Sequence, residues 1–360
     1  MQKTILLFLL NLCSFLAWSQ DGPIIVIGRA VDSATKQPLS GASAFCPNTS
    51  YGATATNDGY FYLKLPPGGY DLTVSYTGYE RKNFRITANH IATDTLFVEL
   101  AAAEKVMSEV AVVASNEVPD GFAKYGNFFL ENFFGTTENA KKCVLKNPEA
   151  LRFFYNKKRN RLKVLTKEDL QITNYALGYK IKYQLDSFIF EYNNNTSQFI
   201  GFALYNEIDT TEEARIQFKK NRARTYLGSR LHFMRSYYEN RITEEGFMIE
   251  KLGPNPNVDQ SEIIKDLYNE EFYAKDSGEV ILAWKGRYRV SYKRVFPDKK
   301  FLELYKLPAN TTSQITAITM LDTIVISGNG FFYDQTDMVN FGYWAWKKMA
   351  EQLPYDYYYE

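Results

Sequence analysis

The chain has 360 residues, a length that accommodates two or three domains and a substantial hydrophobic core. Its 42 basic and 41 acidic residues give a formal net charge of +1, so overall charge gives no reason to expect binding to nucleic acid or to an anionic membrane. Aromatic residues make up 16% of the chain, with 27 Tyr and 26 Phe, and this composition favours strands over helices.

Residues 1–20 have the pattern of a secretory signal peptide. Lys3 supplies a positive start, and the run 5–18 is apolar apart from two polar residues. Small residues at Ala17 and Ser19 place the expected cleavage near Gln20. No segment after the leader has the length and hydropathy of a transmembrane helix. We therefore expect a periplasmic protein, or one associated with the outer membrane.

Residues 21–114 have the pattern of a small antiparallel β-sandwich. Asp58-Gly59 lies between two β-rich runs and indicates a hairpin, because glycine supplies the positive φ that such turns need. The runs 61–65, 70–76 and 95–100 each place apolar residues at every second position. This period predicts strands with one face on a core and the other toward water.

Short motifs in this region follow one another in order and with close spacing. They are Gly28-Arg29-Ala30-Val31-Asp32, Gln37-Pro38-Leu39-Ser40-Gly41-Ala42, Thr56-Asn57-Asp58-Gly59-Tyr60-Phe61, Pro67-Gly68 with Tyr70, and Gly78-Tyr79. Together they resemble the carboxypeptidase regulatory-like domain, a transthyretin-like sandwich of seven strands.

The resemblance implies an accessory domain that is not itself catalytic. In such families the domain follows the catalytic part of some metallocarboxypeptidases and precedes many TonB-dependent outer-membrane receptors. Only about 240 residues follow it here, too few for a plug and a large closed barrel, so we exclude transport.

The fold class that we predict is mainly β, with the transthyretin-like sandwich joined to a larger, strand-rich α+β domain. Residues 115–121 form a polar, turn-rich linker, and residues 122–360 form the second domain. It is similar to domains that accompany the same sandwich in envelope proteins and that have no assigned activity. The motifs behind this similarity are Asn174-Tyr175-Ala176-Leu177-Gly178-Tyr179, Asn221-Arg222, Tyr226-Leu227-Gly228-Ser229, His232-Phe233 and Tyr343-Trp344.

The second domain contains several local signals for secondary structure. Phenylalanines predict a helix that ends near Gly135, and the capping-box sequence 210–213 predicts the start of another. A change of apolar phase predicts a bulge near Asp186-Ser187 in a long meander. We also predict two hairpins, 280–284 with 288–294 and 315–321 with 324–327, and a final helix over 338–353 that carries Trp344 and Trp346.

Sequence motifs give no catalytic constellation. Neither histidine, His90 or His232, has a glutamate three positions away, so the chain lacks the ligand set of a zinc carboxypeptidase. A Gly-x-Ser-x-Gly motif is absent, and the carboxylate pairs Glu244-Glu245 and Glu270-Glu271 are typical of solvated turns. We predict no catalytic residue, no metal and no cofactor, while another hydrolase activity stays open.

Two cysteines follow the leader, Cys46 and Cys143. An oxidising compartment would allow a disulfide between them. Separate buried thiols are the interpretation that we favour, because free cysteine packs as a small hydrophobe.

Basic residues cluster in two places. The run 141–163 contains nine basic residues and one acid, and a second group of arginines lies between 222 and 241. One interpretation is a surface for an anionic partner, and the other is solvated side chains whose stems cover the edge of the core. The candidate binding residues are Lys157, Lys158, Arg159, Arg161, Arg230, Arg235 and Trp346.

The role that the sequence favours is a non-catalytic periplasmic protein that binds or scaffolds an envelope component. The expected partner is an envelope protein or an anionic envelope component, with no role for nucleic acid. Alternatives are an enzyme that acts on envelope glycan or peptide through its second domain, and a small outer-membrane barrel. A flat aromatic patch would favour the scaffold, and convergent acids in a pocket would favour the enzyme.

Overall fold

The computed structural model describes residues 22–87, 95–103, 116–255, 260–276, 278–332 and 335–359. The predicted leader and His90 lie outside the described residues. Contacts divide the chain into two compact units, residues 1–47 with 51–104, and residues 48–50 with 105–360. The sequence places the end of the sandwich at residue 114 and the end of the linker at residue 121, and these two boundaries stay predictions.

The first unit is a sandwich of two sheets. Its described strands are β1 (Ile24–Asp32), β2 (Ser43–Phe45), β3 (Gly52–Thr54), β4 (Tyr60–Leu65), β5 (Tyr70–Ser75), β6 (Lys82–Ile86) and β7 (Leu96–Leu100). One sheet has the order β4-β1-β7 and the other β3-β2-β5-β6. Neighbouring strands are antiparallel except β1 and β7, which are parallel.

Alternation along the strands builds the sandwich core. Phe61, Leu63 and Leu65 of β4 are buried, while Tyr60 and Tyr62, which alternate with them, are exposed. The same inward pattern holds at the end of β7, and the buried side chains form one hydrophobic cluster. The predicted β-sandwich is therefore confirmed.

The second unit begins with a helix and a six-stranded sheet. The elements are α1 (Gly121–Phe133), β8 (Cys143–Leu145), β9 (Leu151–Asn156), β10 (Arg161–Thr166), β11 (Leu170–Asn174), β12 (Tyr179–Glu191) and β13 (Thr196–Glu207). The long strand β12 pairs with β13 along one edge, and with β11 and then β10 along the other. The register of β12 and β13 shifts between Leu185 and Ser187, which confirms the predicted bulge.

Helix α1 covers this sheet with aromatic side chains. The ring of Phe129 lies 5.0 Å from that of Phe188, and the ring of Phe133 lies 5.3 Å from that of Tyr183. The helix ends just before Gly135, which has a φ of 93°, as the sequence predicts. Burial of these rings makes the sheet and the helix one hydrophobic core.

Two further sheets complete the second unit. Their strands are β14 (Phe247–Leu252), β15 (Ser261–Ile263), β16 (Tyr273–Asp276), β17 (Glu279–Leu282), β18 (Gly286–Tyr292), β19 (Gln314–Met320), β20 (Ile324–Ile326) and β21 (Met338–Gly342). The orders are β15-β14-β18-β19-β21 and β16-β17-β20. The remaining helices are α2 (Glu212–Tyr226), α3 (Arg230–Tyr238), α4 (Lys299–Leu304) and α5 (Tyr343–Trp346).

The two hairpins predicted in this part of the chain are wrong. Strand β17 pairs with β16 and β20, whereas β18 pairs with β14 and β19. Likewise β19 and β20 belong to different sheets. Each short connection carries the chain from one sheet to the other, and its turn residues are of the same kind as those of a hairpin.

The predicted helix over 338–353 is also wrong. Residues 338–342 form β21, which pairs with β19, and Gly342 then reverses the chain with a φ of 75°. The helix that follows, α5, has only four residues, and a 3₁₀ turn covers Met349–Glu351. Pairing with β19 therefore outweighs the helix-like spacing of the apolar residues.

Helices α2 and α3 meet at a tight turn around Gly228. The hydroxyl of Thr211 accepts a hydrogen bond from Ala214 N–H at the start of α2, so the cap lies one residue later than Thr210. The hydroxyl of Ser229 accepts from His232 N–H at the start of α3. Between the helices Gly228 has a φ of 76°, a conformation that favours glycine.

Both the N–H and the carbonyl of Gly228 form hydrogen bonds with buried side chains. Its N–H donates to Nδ1 of His232 at 3.1 Å, and its carbonyl accepts from the indole N–H of Trp344 at 2.8 Å. A β-carbon built on Gly228 would lie 2.6 Å from a ring carbon of Tyr292. The turn therefore requires glycine for its φ and for space.

Gly228→Ala should reduce the free energy of unfolding of the second unit by about 3 kcal/mol, because a positive φ and overlap with a buried ring each cost energy. The control is Gly286→Ala, since Gly286 has a φ of 94° but open space around its β-position. It should cost only about 1 kcal/mol. Chemical denaturation measures both, and equal losses would contradict the packing argument.

Candidate functional site

Two turns of the six-stranded sheet lie side by side and carry exposed polar residues. The β9–β10 turn holds Lys157, Lys158 and Arg159, and the β12–β13 turn holds Asn193–Asn195. Asn160 joins the turns, because its amide donates to the side-chain oxygen of Asn193 at 3.1 Å. We call the six exposed residues Lys157, Lys158, Arg159, Asn193, Asn194 and Asn195 the hairpin-tip surface.

The three cations of the hairpin-tip surface make no ion pair within the ranges that the structure describes. The nearby acid Glu191 is paired with Arg161 in β10. The tip therefore presents three positive charges and three amides to solvent, groups that can bind phosphate, carboxylate and hydroxyl oxygens.

A row of tyrosines supports the hairpin-tip surface. The ring of Tyr155 lies 6.3 Å from that of Tyr125 and 6.1 Å from that of Tyr192. The Tyr155 hydroxyl donates to the side-chain oxygen of Asn160 at 2.8 Å. Burial raises the pKa of Tyr192, so this hydroxyl stays protonated at neutral pH. The row holds the two turns in a fixed arrangement.

Arg161, Arg230 and Arg235 have other surroundings. The half-buried Arg161 is neutralised by Glu191, and Arg230 lies over the ring of Phe332 at 5.3 Å. Arg235 is buried and forms its contacts inside the unit. The structure thus brings together Lys157, Lys158 and Arg159 and leaves the other three arginines out of their surface.

Arg235 is 5% exposed and binds backbone carbonyls with its guanidinium group. Nε donates to Asn329 O at 2.9 Å, Nη1 to Tyr357 O at 2.6 Å and Nη2 to Tyr355 O at 2.9 Å. The group also lies 4.7 Å from the ring centre of Tyr358. Arg235 therefore fastens the C-terminal residues to α3.

Trp346 lies inside the protein. Its side chain is 5% exposed and forms a small cluster with Phe301, Leu302 and Tyr343. Trp344 is also buried, in the hydrophobic cluster of the last two sheets. Neither indole is available as a surface contact. Trp346 lies beneath the loop that contains Phe301 and Leu302, and other residues of that loop are exposed.

His232 is buried among aromatic rings and is neutral. Because Nδ1 accepts from Gly228 N–H, the ring proton is on Nε2, which lies 3.3 Å from the carboxylate of Glu245. Burial lowers the pKa of His232 to about 4, although Glu245 favours the charged form. Glu245 is also paired with Arg241 at 2.7 Å. The contact between Nε2 of His232 and Glu245 fixes the tautomer of the buried His232 ring.

Cys46 and Cys143 form no disulfide with each other, as favoured from the sequence, and Cys46 is buried while Cys143 is half-buried. Burial raises the pKa of Cys143 to about 12, so its thiol is unreactive at neutral pH. In the part of the chain that the structure describes, no three His, Cys, Asp or Glu side chains come together in a set that could hold a metal ion.

Among the described residues, Lys348 has the side chain whose surroundings most resemble those of a reactive group. Burial lowers its pKa to about 8, and its amine donates to the hydroxyl of Ser197 at 2.9 Å. An amine beside a serine hydroxyl can act as a base. A cavity of about 380 Å³ lies at the start of α1, and neither residue lines it. We therefore interpret the hydrogen bond between Lys348 and Ser197 as a structural contact that joins β13 to the C-terminal segment.

Comparison with known families concerns the first unit. Residues 26–112 match the family model of the CarboxypepD_reg-like domain. The sandwich is a CarboxypepD_reg-like domain. No curated protein matches the chain. This domain is an accessory in the families that the sequence resembles, and its two sheets agree with the expected fold.

Solved structures share only limited similarity with the chain. A type II cohesin–X-dockerin complex from Acetivibrio cellulolyticus is 17% identical, with 28% of this chain and 79% of that chain covered and a TM-score of 0.20. A putative membrane-associated protein of unknown function from Bacteroides fragilis is 15% identical, with 46% and 65% covered and a TM-score of 0.19. A DUF3823 family protein from Bacteroides ovatus is 11% identical, with 52% and 82% covered and a TM-score of 0.18.

The CarboxypepD_reg-like domain presents an aromatic face on its three-stranded sheet. Tyr60 and Tyr62 of β4 and Phe97 of β7 are exposed on the side opposite the core. Arg29 of β1 pairs with Tyr60 and Phe97 in the two registers, and its guanidinium lies 5.1 Å from the ring centre of Tyr60. This is the flat aromatic patch that the sequence argument associates with a scaffold.

The candidate residues named from the sequence include the turn cations Lys157, Lys158 and Arg159 but not Asn193–Asn195, since asparagines before a strand resemble an ordinary turn. The pairing of β12 with β10 places the two turns at one end of the sheet, and no local pattern in the sequence indicates this pairing. No helix among the described residues has the length and apolar character needed to cross a membrane.

Arg235→Met should reduce the free energy of unfolding of the second unit by about 3 kcal/mol, because it leaves buried carbonyls without donors while the stem volume is kept. The control is Arg215→Met, since Arg215 is exposed and forms surface ion pairs with Asp209 and Glu212. The control should change stability by less than about 1 kcal/mol. Similar losses in both variants would show that the carbonyl contacts contribute nothing.

Stability should fall in acid partly through His232. Its folded pKa is below that of the unfolded chain, so between pH 6.5 and about 4 the unfolded state binds a proton that the native state does not. From pH 7.5 to 4.5 this loss should be about 2–3 kcal/mol. His232→Gln, which cannot titrate, should remove that part of the pH dependence. An unchanged difference between the two pH values would refute the assignment.

Proposed function

We propose that the protein is a non-catalytic envelope protein that binds an anionic envelope component through the hairpin-tip surface. The observation that carries the proposal is the presence of three exposed cations without ion pairs on one rigid turn. Surface lysines and arginines are ordinarily offset by nearby acids, and the chain as a whole has almost equal numbers of both charges. Here the excess is concentrated at one end of a sheet.

The surroundings of the tip favour a ligand that has both charged and hydroxyl groups. Cations attract phosphate or carboxylate groups, and the amides of Asn193–Asn195 can donate to and accept from hydroxyls. Glycans and glycolipids of a cell envelope combine these groups. The support for an envelope location is the leader pattern and the accessory domain.

The aromatic face of the CarboxypepD_reg-like domain supports the scaffolding part of this role. Exposed Tyr and Phe side chains on a flat sheet are suited to protein contacts, because they bury a large area at little cost in conformational entropy. The domain itself contributes no catalytic group to the proposal, which agrees with its accessory position in the families that it resembles.

A polyanion-binding measurement tests the hairpin-tip surface. Purified protein should bind dextran sulfate, and the triple variant Lys157→Gln, Lys158→Gln, Arg159→Gln should bind on the order of 100-fold more weakly, at about 1 kcal/mol for each cation. Binding of the wild type should weaken as salt is added.

The matched control removes three exposed lysines from scattered positions, as Lys180→Gln, Lys251→Gln, Lys265→Gln. It has the same net charge as the tip variant and should bind within about threefold of the wild type. Equal weakening in the two variants would mean that only net charge matters, and the assignment of the tip would then fail. Uncharged dextran should not bind.

A further inference from the structure

A second surface of the unit exposes large apolar side chains within a short stretch of chain. Phe296 is 71% exposed, Leu304 60%, Tyr305 46% and Leu307 38%. We call the stretch from Phe296 to Leu307 the α4 loop. Single exposed apolar residues are common on proteins, but four in twelve consecutive positions form a patch that requires an explanation.

The α4 loop is anchored from below. Phe301 and Leu302 are buried in the cluster with Tyr343 and Trp346, and the Phe301 ring lies 4.9 Å from Tyr343 and 5.5 Å from Trp346. The outward side chains therefore extend from a fixed base. Trp346 supports this surface without being part of it.

The C-terminal end of α4 has a regular capping arrangement. Lys306 N–H donates to Glu303 O at 3.2 Å, Leu307 N–H donates to Leu302 O at 2.8 Å, and Lys306 has a φ of 53°. This is the Schellman pattern, in which a left-handed residue follows the helix. It fixes the direction of Leu307 relative to Leu304, so the apolar side chains are presented by ordered backbone.

Lysines lie next to the apolar side chains along the chain. The α4 loop has three lysines and two acids, although the whole chain is nearly neutral. One of the acids, Asp298, is paired with Arg224 at 3.5 Å. Lys299 and Lys306 are exposed on either side of Leu304. The patch is therefore both apolar and cationic.

We propose that the α4 loop docks on the surface of an anionic phospholipid bilayer. Phe296 and Leu304 enter the boundary between headgroups and acyl chains, and Lys299 and Lys306 contact the anionic headgroups. Leucine and aromatic side chains next to lysines are the composition of segments that bind at a membrane interface. The loop enters one leaflet only, so no spanning helix is needed.

The charge of the patch decides against a second copy of the chain as its occupant. Two copies that met through this loop would bring like charges together around the apolar contact, which costs free energy. An anionic bilayer matches both properties of the patch. This inference goes beyond the proposed function, because it concerns another surface with a different ligand.

Vesicle co-sedimentation of the full chain tests the proposal. Wild-type protein should sediment with vesicles of phosphatidylethanolamine and phosphatidylglycerol, and less with pure phosphatidylcholine. Phe296→Ser, Leu304→Ser should lower the partition coefficient by at least about tenfold, because each side chain loses burial in the membrane. Both residues are exposed, so the melting temperature should not change.

The matched control is Ile263→Ser, Leu321→Ser, which removes two apolar side chains that are 53% and 63% exposed elsewhere in the same unit. It should partition like the wild type. The hairpin-tip triple variant should also keep its vesicle binding. Absence of wild-type binding, equal binding to both vesicle types, or equal loss in any control would overturn the proposal. Capture of a protein through this loop without vesicle binding would do so as well.

Discussion

The turn at Gly228 is the constraint on which the second unit depends. Leu227 beside it contacts both large hydrophobic clusters of the unit. The N–H of Gly228 holds the ring of His232, and its carbonyl holds the indole of Trp344. One backbone position therefore sets the angle between α2 and α3 and with it the placement of two cores. A side chain at position 228 would separate the two helices that the turn joins.

Arginine has two different roles in this protein, and burial separates them. Arg222 in α2 donates to Leu177 O and stacks on Tyr179 with 4.0 Å between the guanidinium carbon and the ring centre. Arg235 in α3 likewise satisfies carbonyls in the interior. Five donors in a rigid planar group allow arginine to bind several carbonyls at once, which lysine cannot do. Within the part of the chain that the structure describes, the cations of the hairpin-tip surface have no such contacts.

The parts of the fold that could be predicted are those in which a local pattern determines the answer. Alternating burial in β4 and the change of phase at Asp186-Ser187 are properties of one strand, and the structure confirms both. The hairpin predicted for 280–284 with 288–294 is wrong because a turn signal does not say which sheet receives the next strand. For residues 338–342, pairing with a separate strand, β19, determines the structure. The candidate binding residues follow the same rule: a run of charge is visible in the sequence, but the carbonyl partners that keep Arg235 inside the protein are not.

The bulge in β12 has a consequence for how this protein can change. The bulge fixes the register of the longest strand pair, and the aromatic core below it holds β10 in place. Residues of the two adjacent turns therefore do not determine how the strands pair. Substitution or lengthening of these turns leaves the sheet intact, as is usual for exposed turns between rigid strands. Related chains can thus diversify in sequence and turn length at this end of the sheet while the scaffold beneath stays the same.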